Sequence, residues 1–144
     1  GRGGGPCQVQ GGLPEVEAHE IDGPLNAAGV SLVPVPLLHG KRPILGFRSG
    51  GFAYLTDASA VPDASWPLVQ GVDTLIINAL RHRSHPTHFS LAEALEAIQR
   101  IAPRRAYLTH MCHDLGHAET SAQLPPGIEL AYDGLTLDVD IALA

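Results

Sequence analysis

The stretch from Thr74 to His110 reads TLIINALRHRSHPTHFSLAEALEAIQRIAPRRAYLTH, and it decides the fold. It opens with a continuous apolar run that is typical of a buried strand and stops at Asn78. Further along, Ser90 and Glu93 form the capping box that begins a helix. Apolar residues then recur on one face at helical spacing, at Leu91, Leu95, Ile98 and Ala102. The stretch therefore predicts a buried strand followed by a helix.

Shorter strands are predicted on both sides of this unit. Pro103 ends the helix, and Ala106 to Leu108 form a strand that stops at Thr109-His110. Earlier in the chain, the run from Val30 to Leu38 contains two prolines, which favour an edge position or a bulge, and it ends at His39. The run from Phe52 to Leu55 stops at Thr56-Asp57.

The end of the chain carries the pattern of a β-hairpin. The runs 128–132 and 135–139 flank Asp133-Gly134, the strongest short hairpin signal. Together with the earlier elements this order predicts an α/β (α+β) fold. Residues 1–14 are rich in glycine and are interpreted as a linker or loop, so residues 15–144 form the single predicted domain.

The composition of the chain excludes several classes of protein. The chain is 44% hydrophobic and 17% charged, which is typical of one soluble domain, and its apolar runs are too short to span a bilayer. The net charge of −6 and the scattered arginines do not favour nucleic acid as a partner. Cys7 and Cys112 are too few for a disulfide framework or a cysteine-based zinc site, so we expect a reducing, cytoplasmic location.

Four predicted strands end on a polar side chain, namely His39, Asp57, Asn78 and His110. Ligands collect at the carboxyl ends of strands in α/β proteins, and imidazole with carboxylate suits Zn²⁺ or Mn²⁺. Taken singly, each residue is better explained as an ordinary solvated residue in a turn. Taken together, the set favours a metal site.

The roles of the other histidines can each be interpreted in two ways. His88 lies just before the Ser90 cap, where it is either a surface residue or a group that holds a phosphate and protonates a leaving oxygen. The loop from Arg81 to His85 is better explained as a solvated loop, and contact with substrate is the alternative. The segment from His110 to His117 fits no standard ligand motif.

The motifs together resemble those of a known family. They are GFAYLTD at 51–57, NALR at 78–81, HPTHFS at 85–90 and YLTHMCHD at 107–114. They resemble the metallo-β-lactamase superfamily, and within it the cyclic-phosphate phosphodiesterases of phosphonate metabolism, which are related to the tRNA 3′-processing nucleases. The resemblance covers the chain from about Leu13 onwards. It implies a four-layered αββα sandwich, of which this chain supplies mostly the C-terminal half.

The resemblance also implies a mechanism and its residues. His39 would be a histidine ligand of the first of two divalent metals, zinc or manganese, and His110 the last ligand of the second. Asp57 would bridge both metals and so is also a catalytic residue. His88 would contact the scissile phosphate and act in catalysis. His85, which the resemblance does not assign, is the further candidate for substrate binding, from its place in the Arg81–His85 loop. A metal-bridging hydroxide would attack phosphorus in a small phosphate diester.

This sequence departs from the family pattern at two places. The His-x-His-x-Asp-His motif, which supplies the remaining ligands, is absent from the 144 residues. The chain also begins without methionine, so we expect it to be part of a longer enzyme, with incompletely ligated metals and no activity as the segment alone. The second departure is Asn78, where relatives more often carry aspartate; an amide there weakens any proton relay but can still form a hydrogen bond to a ligand.

Two alternatives stay open at this point. One is a nuclease of the same fold, of the tRNA 3′-processing type, which would need a basic surface or an added RNA-binding arm. The other is a non-catalytic half-fold that serves as a structural or binding module. No membrane partner is expected, and a homodimer stays open.

Overall fold

The computed structural model describes residues 15–111 and 116–144, and the predicted linker at 1–14 lies outside them. Seven strands are described: β1 Leu25–Ala27, β2 Val30–His39, β3 Arg42–Ser49, β4 Phe52–Leu55, β5 Thr74–Asn78, β6 Arg105–Thr109 and β7 Ile128–Leu130. The helices are α1 Trp66–Val69, preceded by a 3₁₀ turn at Asp63–Ser65, α2 Leu91–Ile101 and α3 His117–Gln123. The predicted mixed α/β fold is confirmed.

The seven strands form one sheet in chain order, and their directions bring particular ends together. Strands β1 to β4 pair antiparallel, whereas β4, β5, β6 and β7 run parallel. Since β2 is antiparallel to β3 and β3 to β4, β2 shares the direction of the parallel group. The carboxyl ends of β2, β4, β5 and β6 therefore lie at the same edge of the sheet, which we call the carboxyl edge.

Helix α2 covers one face of the parallel strands. Its capping box forms as predicted, with the Glu93 N–H donating to Ser90 Oγ at 3.2 Å and the Ser90 N–H donating to Glu93 Oε1 at 2.9 Å. Leu91 and Ile98 are buried as expected, but Ala102 is exposed and ends the helix in a left-handed conformation. The helix instead buries Ala94, Ala97 and Ile101 against the sheet side chains of the core, such as Leu75, Ile77 and Leu108.

Strand β3 was not expected from the sequence. Pro43 and Gly46 interrupt its apolar pattern, yet seven residue pairs join it to β2, from Val33–Arg48 to His39–Arg42. Gly46 is needed for packing, because a Cβ there would lie 2.7 Å from Leu55 Cδ2 and 2.9 Å from Leu37 Cδ1. Gly46, which breaks the apolar pattern of β3 in the sequence, is therefore required because the core has no room for a side chain there.

The predicted C-terminal hairpin is wrong. The turn itself forms, with the Leu135 N–H donating to Tyr132 C=O at 3.1 Å. However, β7 pairs in parallel with β6, and residues 135–139 form no strand beside it. The chain instead crosses the edge opposite the carboxyl edge, where Asp140 C=O accepts from the Gly51 N–H and Ala142 C=O from the Ser31 N–H. The hydrogen bonds of the terminal segment therefore go to the starts of β4 and β2.

The edge position expected for β2 holds over the part that contains its prolines. Residues Val33 to His39 pair with β3 on one side, and no strand of the described residues pairs with them on the other. The Leu38 N–H donates to Ala60 C=O, away from β3, and by strand alternation Pro34 and Pro36 face the same way. The missing N–H groups therefore cost no ladder hydrogen bond. Within residues 15–111 and 116–144, no helix combines the length and apolar character that crossing a membrane requires.

Candidate metal centre

The carboxyl edge gathers the polar residues that end its strands. His39 is the last residue of β2, Asp57 follows β4 by two residues, and His110 follows β6 directly. His110 Nε2 lies 3.5 Å from Asp57 Oδ1. Both Asp57 and His110 have positive φ angles, of 63° and 61°, which non-glycine residues seldom adopt. Such backbone strain is concentrated at functional sites, where the surrounding structure maintains it.

His88 lies at the centre of a cluster of four imidazoles. Its ring centroid is 4.6 Å from that of His110, 4.9 Å from that of His39 and 5.5 Å from that of His85. One ligand atom each from Asp57, His88 and His110 lie within 4.8 Å of one another. The family resemblance implies that His88 contacts the phosphate and is not a metal ligand. The spacing alone suits either role, so the non-ligand role of His88 stays a prediction.

The hydrogen bonds of His39 and His85 assign opposite tautomers to them. His39 Nδ1 lies 2.8 Å from Asp57 C=O, which can only accept, so Nδ1 carries the proton and the Nε2 lone pair is free to bind a metal. His85 Nδ1 accepts from the Thr87 N–H at 3.2 Å, so in the neutral ring the proton is on Nε2. His39 is therefore set up as a ligand, and His85 as a hydrogen-bond donor.

The electrostatic surroundings of His88 favour its neutral form. Burial lowers the pKa of the His88 imidazole, and the neighbouring His110 and His39 lower it further, while Asp57 opposes them. Its Nδ1 atom is buried and has no hydrogen-bond partner among the described residues. A buried polar atom without a partner is uncommon in native proteins, and here it suits a group that meets a ligand.

Two side chains anchor the loop that carries Asp57. Asn78, at the end of β5, pairs with both backbone groups of Ala58, accepting from its N–H at 2.9 Å and donating to its C=O at 3.0 Å. Ser59 Oγ accepts from the Gly40 N–H at 2.9 Å and donates to Leu38 C=O at 3.2 Å, on either side of His39. Neither anchoring role was expected from the sequence, because the partners are about twenty residues away.

The donor set fits a divalent metal. Neutral imidazole nitrogens and a carboxylate are the ligands that zinc and manganese take, and the Nδ1 contact of His39 is the outer hydrogen bond typical of metal-binding histidines. His113 and Asp114 lie outside the described residues, and His117 is the first residue of α3. The predicted residues His39, Asp57, His85, His88 and His110 are thus brought together at one edge; their roles stay predictions.

Comparison with known proteins gives the family. The model of the beta-lactamase superfamily domain matches residues 2–111. A diphosphatase from the PhnP family is similar, with 43% identity and a TM-score of 0.86 over 90% of this chain and 52% of that structure. The metallo-beta-lactamase fold protein YhfI from Bacillus subtilis has 21% identity and a TM-score of 0.67, over 83% of this chain and 54% of its own. Human tRNase Z, short form, has 18% identity and a TM-score of 0.61, over 81% and 46%.

One relative has a name that points to a different activity from those of the similar structures. An octanoyltransferase of Porphyromonas gingivalis is 33% identical over 133 residues, which are 90% of this chain but 27% of that protein. The chain thus spans about a quarter of this relative and about half of the diphosphatase. With a family match over most of its length and a TM-score of 0.86 to the PhnP-family structure, the chain belongs to the beta-lactamase superfamily and has the metallo-β-lactamase fold.

Proposed function

We propose that this chain is part of a metal-dependent hydrolase, a phosphodiesterase that cleaves a small phosphate diester. The observation that carries the proposal is the gathering of Asp57, His88 and His110 at the carboxyl edge, with ligand atoms within 4.8 Å of one another. A carboxylate and two imidazoles at that spacing can hold a metal and also face a phosphate. The similarity to a PhnP-family diphosphatase, at 43% identity, supports chemistry at phosphorus.

The metal side of the site is assigned to His39, Asp57 and His110. Two zinc or manganese ions would supply Lewis acidity at the phosphoryl oxygen and a nucleophilic hydroxide at neutral pH. His39 offers Nε2, because its Nδ1 proton is engaged by Asp57 C=O. Three ligands shared between two ions leave each under-coordinated. We therefore expect the remaining ligands to come from another part of a longer protein, and the 144-residue segment alone to be inactive.

The substrate side of the site is assigned to His85 and His88. With its proton on Nε2, His85 can donate a hydrogen bond to a non-bridging phosphate oxygen. Burial and the neighbouring histidines lower the pKa of His88, which favours its neutral form in the free protein. A bound phosphate brings negative charge next to this ring, which favours the protonated form and so prepares it to protonate the leaving oxygen.

The choice of a small substrate follows from charge. With a net charge of −6, the chain as a whole does not attract a nucleic acid backbone. The similarity to tRNase Z, at 18% identity, shows the fold alone. The octanoyltransferase name gives no support for acyl transfer here, because the match covers only 27% of that protein. A small phosphate diester is therefore our proposed substrate class.

The test uses the full-length protein that carries this chain, stripped of metal with a chelator and reloaded with Zn²⁺ or Mn²⁺. Bis(4-nitrophenyl) phosphate serves as the diester, 4-nitrophenyl octanoate as the carboxylic ester, and single-stranded RNA as the nuclease substrate. We expect metal-dependent hydrolysis of the phosphate diester only. Hydrolysis of the octanoate ester alone, cleavage of RNA in preference to the diester, or full activity without metal would each contradict the proposal.

A further inference from the structure

Asn78 is a fully buried polar residue that the proposed chemistry does not use. It ends β5 at the carboxyl edge, with 0% of its surface exposed. Its amide oxygen accepts from the Ala58 N–H at 2.9 Å, and its amide nitrogen donates to the Ala58 C=O at 3.0 Å. Both polar atoms of the side chain are therefore hydrogen-bonded to the backbone of one residue. This is the donor and acceptor pattern of a paired peptide group in a β-ladder, supplied here by a side chain.

The residue next to this contact is under conformational strain. Asp57 has a φ of 63°, in the left-handed region, which costs an L-residue roughly 1–2 kcal/mol. Strain of this kind persists only where surrounding contacts determine the backbone. On one side of the strained position Asn78 binds Ala58, whose C=O also accepts from the Phe89 N–H at 2.8 Å. On the other side the Asp57 C=O accepts from His39 Nδ1 at 2.8 Å. Asp57 Oδ1 then lies 3.5 Å from His110 Nε2.

We infer that Asn78 is a positioning residue: by pairing with both backbone groups of Ala58 it holds Asp57 in the left-handed conformation that directs its carboxylate into the histidine cluster. The inference rests on the proposed function in treating Asp57 as a metal ligand. An ionised aspartate at position 78 could accept from the Ala58 N–H but could not donate to its C=O. A leucine of similar size could do neither. The amide is the side chain whose two groups match.

The experiment measures metal binding and needs no substrate. The full-length protein is prepared without metal and titrated with Co²⁺, and both the dissociation constant and the visible absorption spectrum are recorded. The variant is Asn78→Leu, and the matched control is Thr74→Val. Thr74 is a buried polar residue on the same face of β5, at its other end, where Thr74 Oγ1 accepts from Arg105 Nε at 2.8 Å.

We expect Asn78→Leu to weaken Co²⁺ binding about 10–100-fold, the usual scale for losing a residue that orients a ligand, and to alter the absorption spectrum. Thr74→Val should lower the melting temperature with a dissociation constant within about twofold of wild type, since the supporting shell of the metal is untouched. Equal weakening by both variants would mean a general loss of stability and would overturn the inference. A folded Asn78→Leu protein with wild-type affinity would overturn it as well.

A measurement on the unaltered protein covers the case in which Asn78→Leu does not fold. The Ala58 amide should be protected from hydrogen exchange, because its partner is a buried side chain. Exchange at the rate of a solvated loop would overturn the inference. The outcomes also separate the two ideas. If the wild-type protein binds no Co²⁺, the proposed function fails; if it binds and the variant binds equally well, the role of Asn78 alone fails.

Discussion

His88→Ala in the full-length protein should lower kcat while the metal content stays at the wild-type level. The His88 ring lies 4.6 Å from His110 and 4.9 Å from His39, with a buried Nδ1 that has no partner among the described residues, so it is placed to meet a ligand. Losing a general acid costs about 10²–10⁴-fold in rate. At about 1.4 kcal/mol for each factor of ten, this corresponds to about 3–6 kcal/mol of transition-state stabilisation.

The assay compares diesters with good and poor leaving groups and measures the metal content of each variant by elemental analysis. A poor leaving group needs the proton, so the loss in kcat should grow as the leaving group becomes more basic. His110→Ala should show the reverse order of effects, with metal lost first and activity lost as a consequence. His82→Ala serves as the control, because His82 is an exposed histidine of the same loop.

The reasoning would be refuted by either of two results. If His88→Ala removes the metal, His88 is a ligand, which the 4.8 Å grouping with Asp57 and His110 also accommodates. If kcat is unchanged on a substrate with a poor leaving group, the ring neither delivers the proton nor supports the transition state.

Further predictions concern the supports of the site and the core. Ser59→Ala should cost about 1–2 kcal/mol in unfolding free energy, because the Gly40 N–H loses its partner, and should weaken metal binding about tenfold; Ser59→Thr should restore both. The control, Ser65→Ala, removes a 2.6 Å hydrogen bond from Ser65 Oγ to Pro36 C=O in β2 and should lower stability without changing metal affinity. Equal metal affinities for the two alanine variants would contradict the role of Ser59. Leu75→Ala should cost about 2–5 kcal/mol in urea unfolding, since Leu75 is 0% exposed, and a loss below about 1 kcal/mol would contradict that burial. Ser90→Ala should cost about 1 kcal/mol through the capping box, and no measurable loss would show that the cap is dispensable.

Local sequence signals predicted those parts of the fold whose causes are local. The Ser90–Glu93 capping box and the apolar run of β5 depend on neighbours within a few residues, and both were found where expected. Strand β3 was missed because Gly46 is dictated by the side chains of Leu37 and Leu55 on other strands. The hairpin failed for a similar reason. Its turn at Asp133-Gly134 is local and forms, but the partner of β7 is β6, and the choice of partner is made by the whole sheet.

The same division applies to the candidate site. That His39, Asp57 and His110 would meet follows from strand direction, because polar residues at the ends of co-directional strands share an edge. What prepares these residues for chemistry does not follow from strand direction. The proton of His39 is placed by the carbonyl of Asp57, eighteen residues on, and the backbone of Ala58 is held by Asn78, twenty residues on. From the sequence, Asn78 was interpreted as a residue that weakens a proton relay. In the fold both its polar atoms are bound to the backbone of Ala58, and an ionised aspartate could make only one of these two hydrogen bonds.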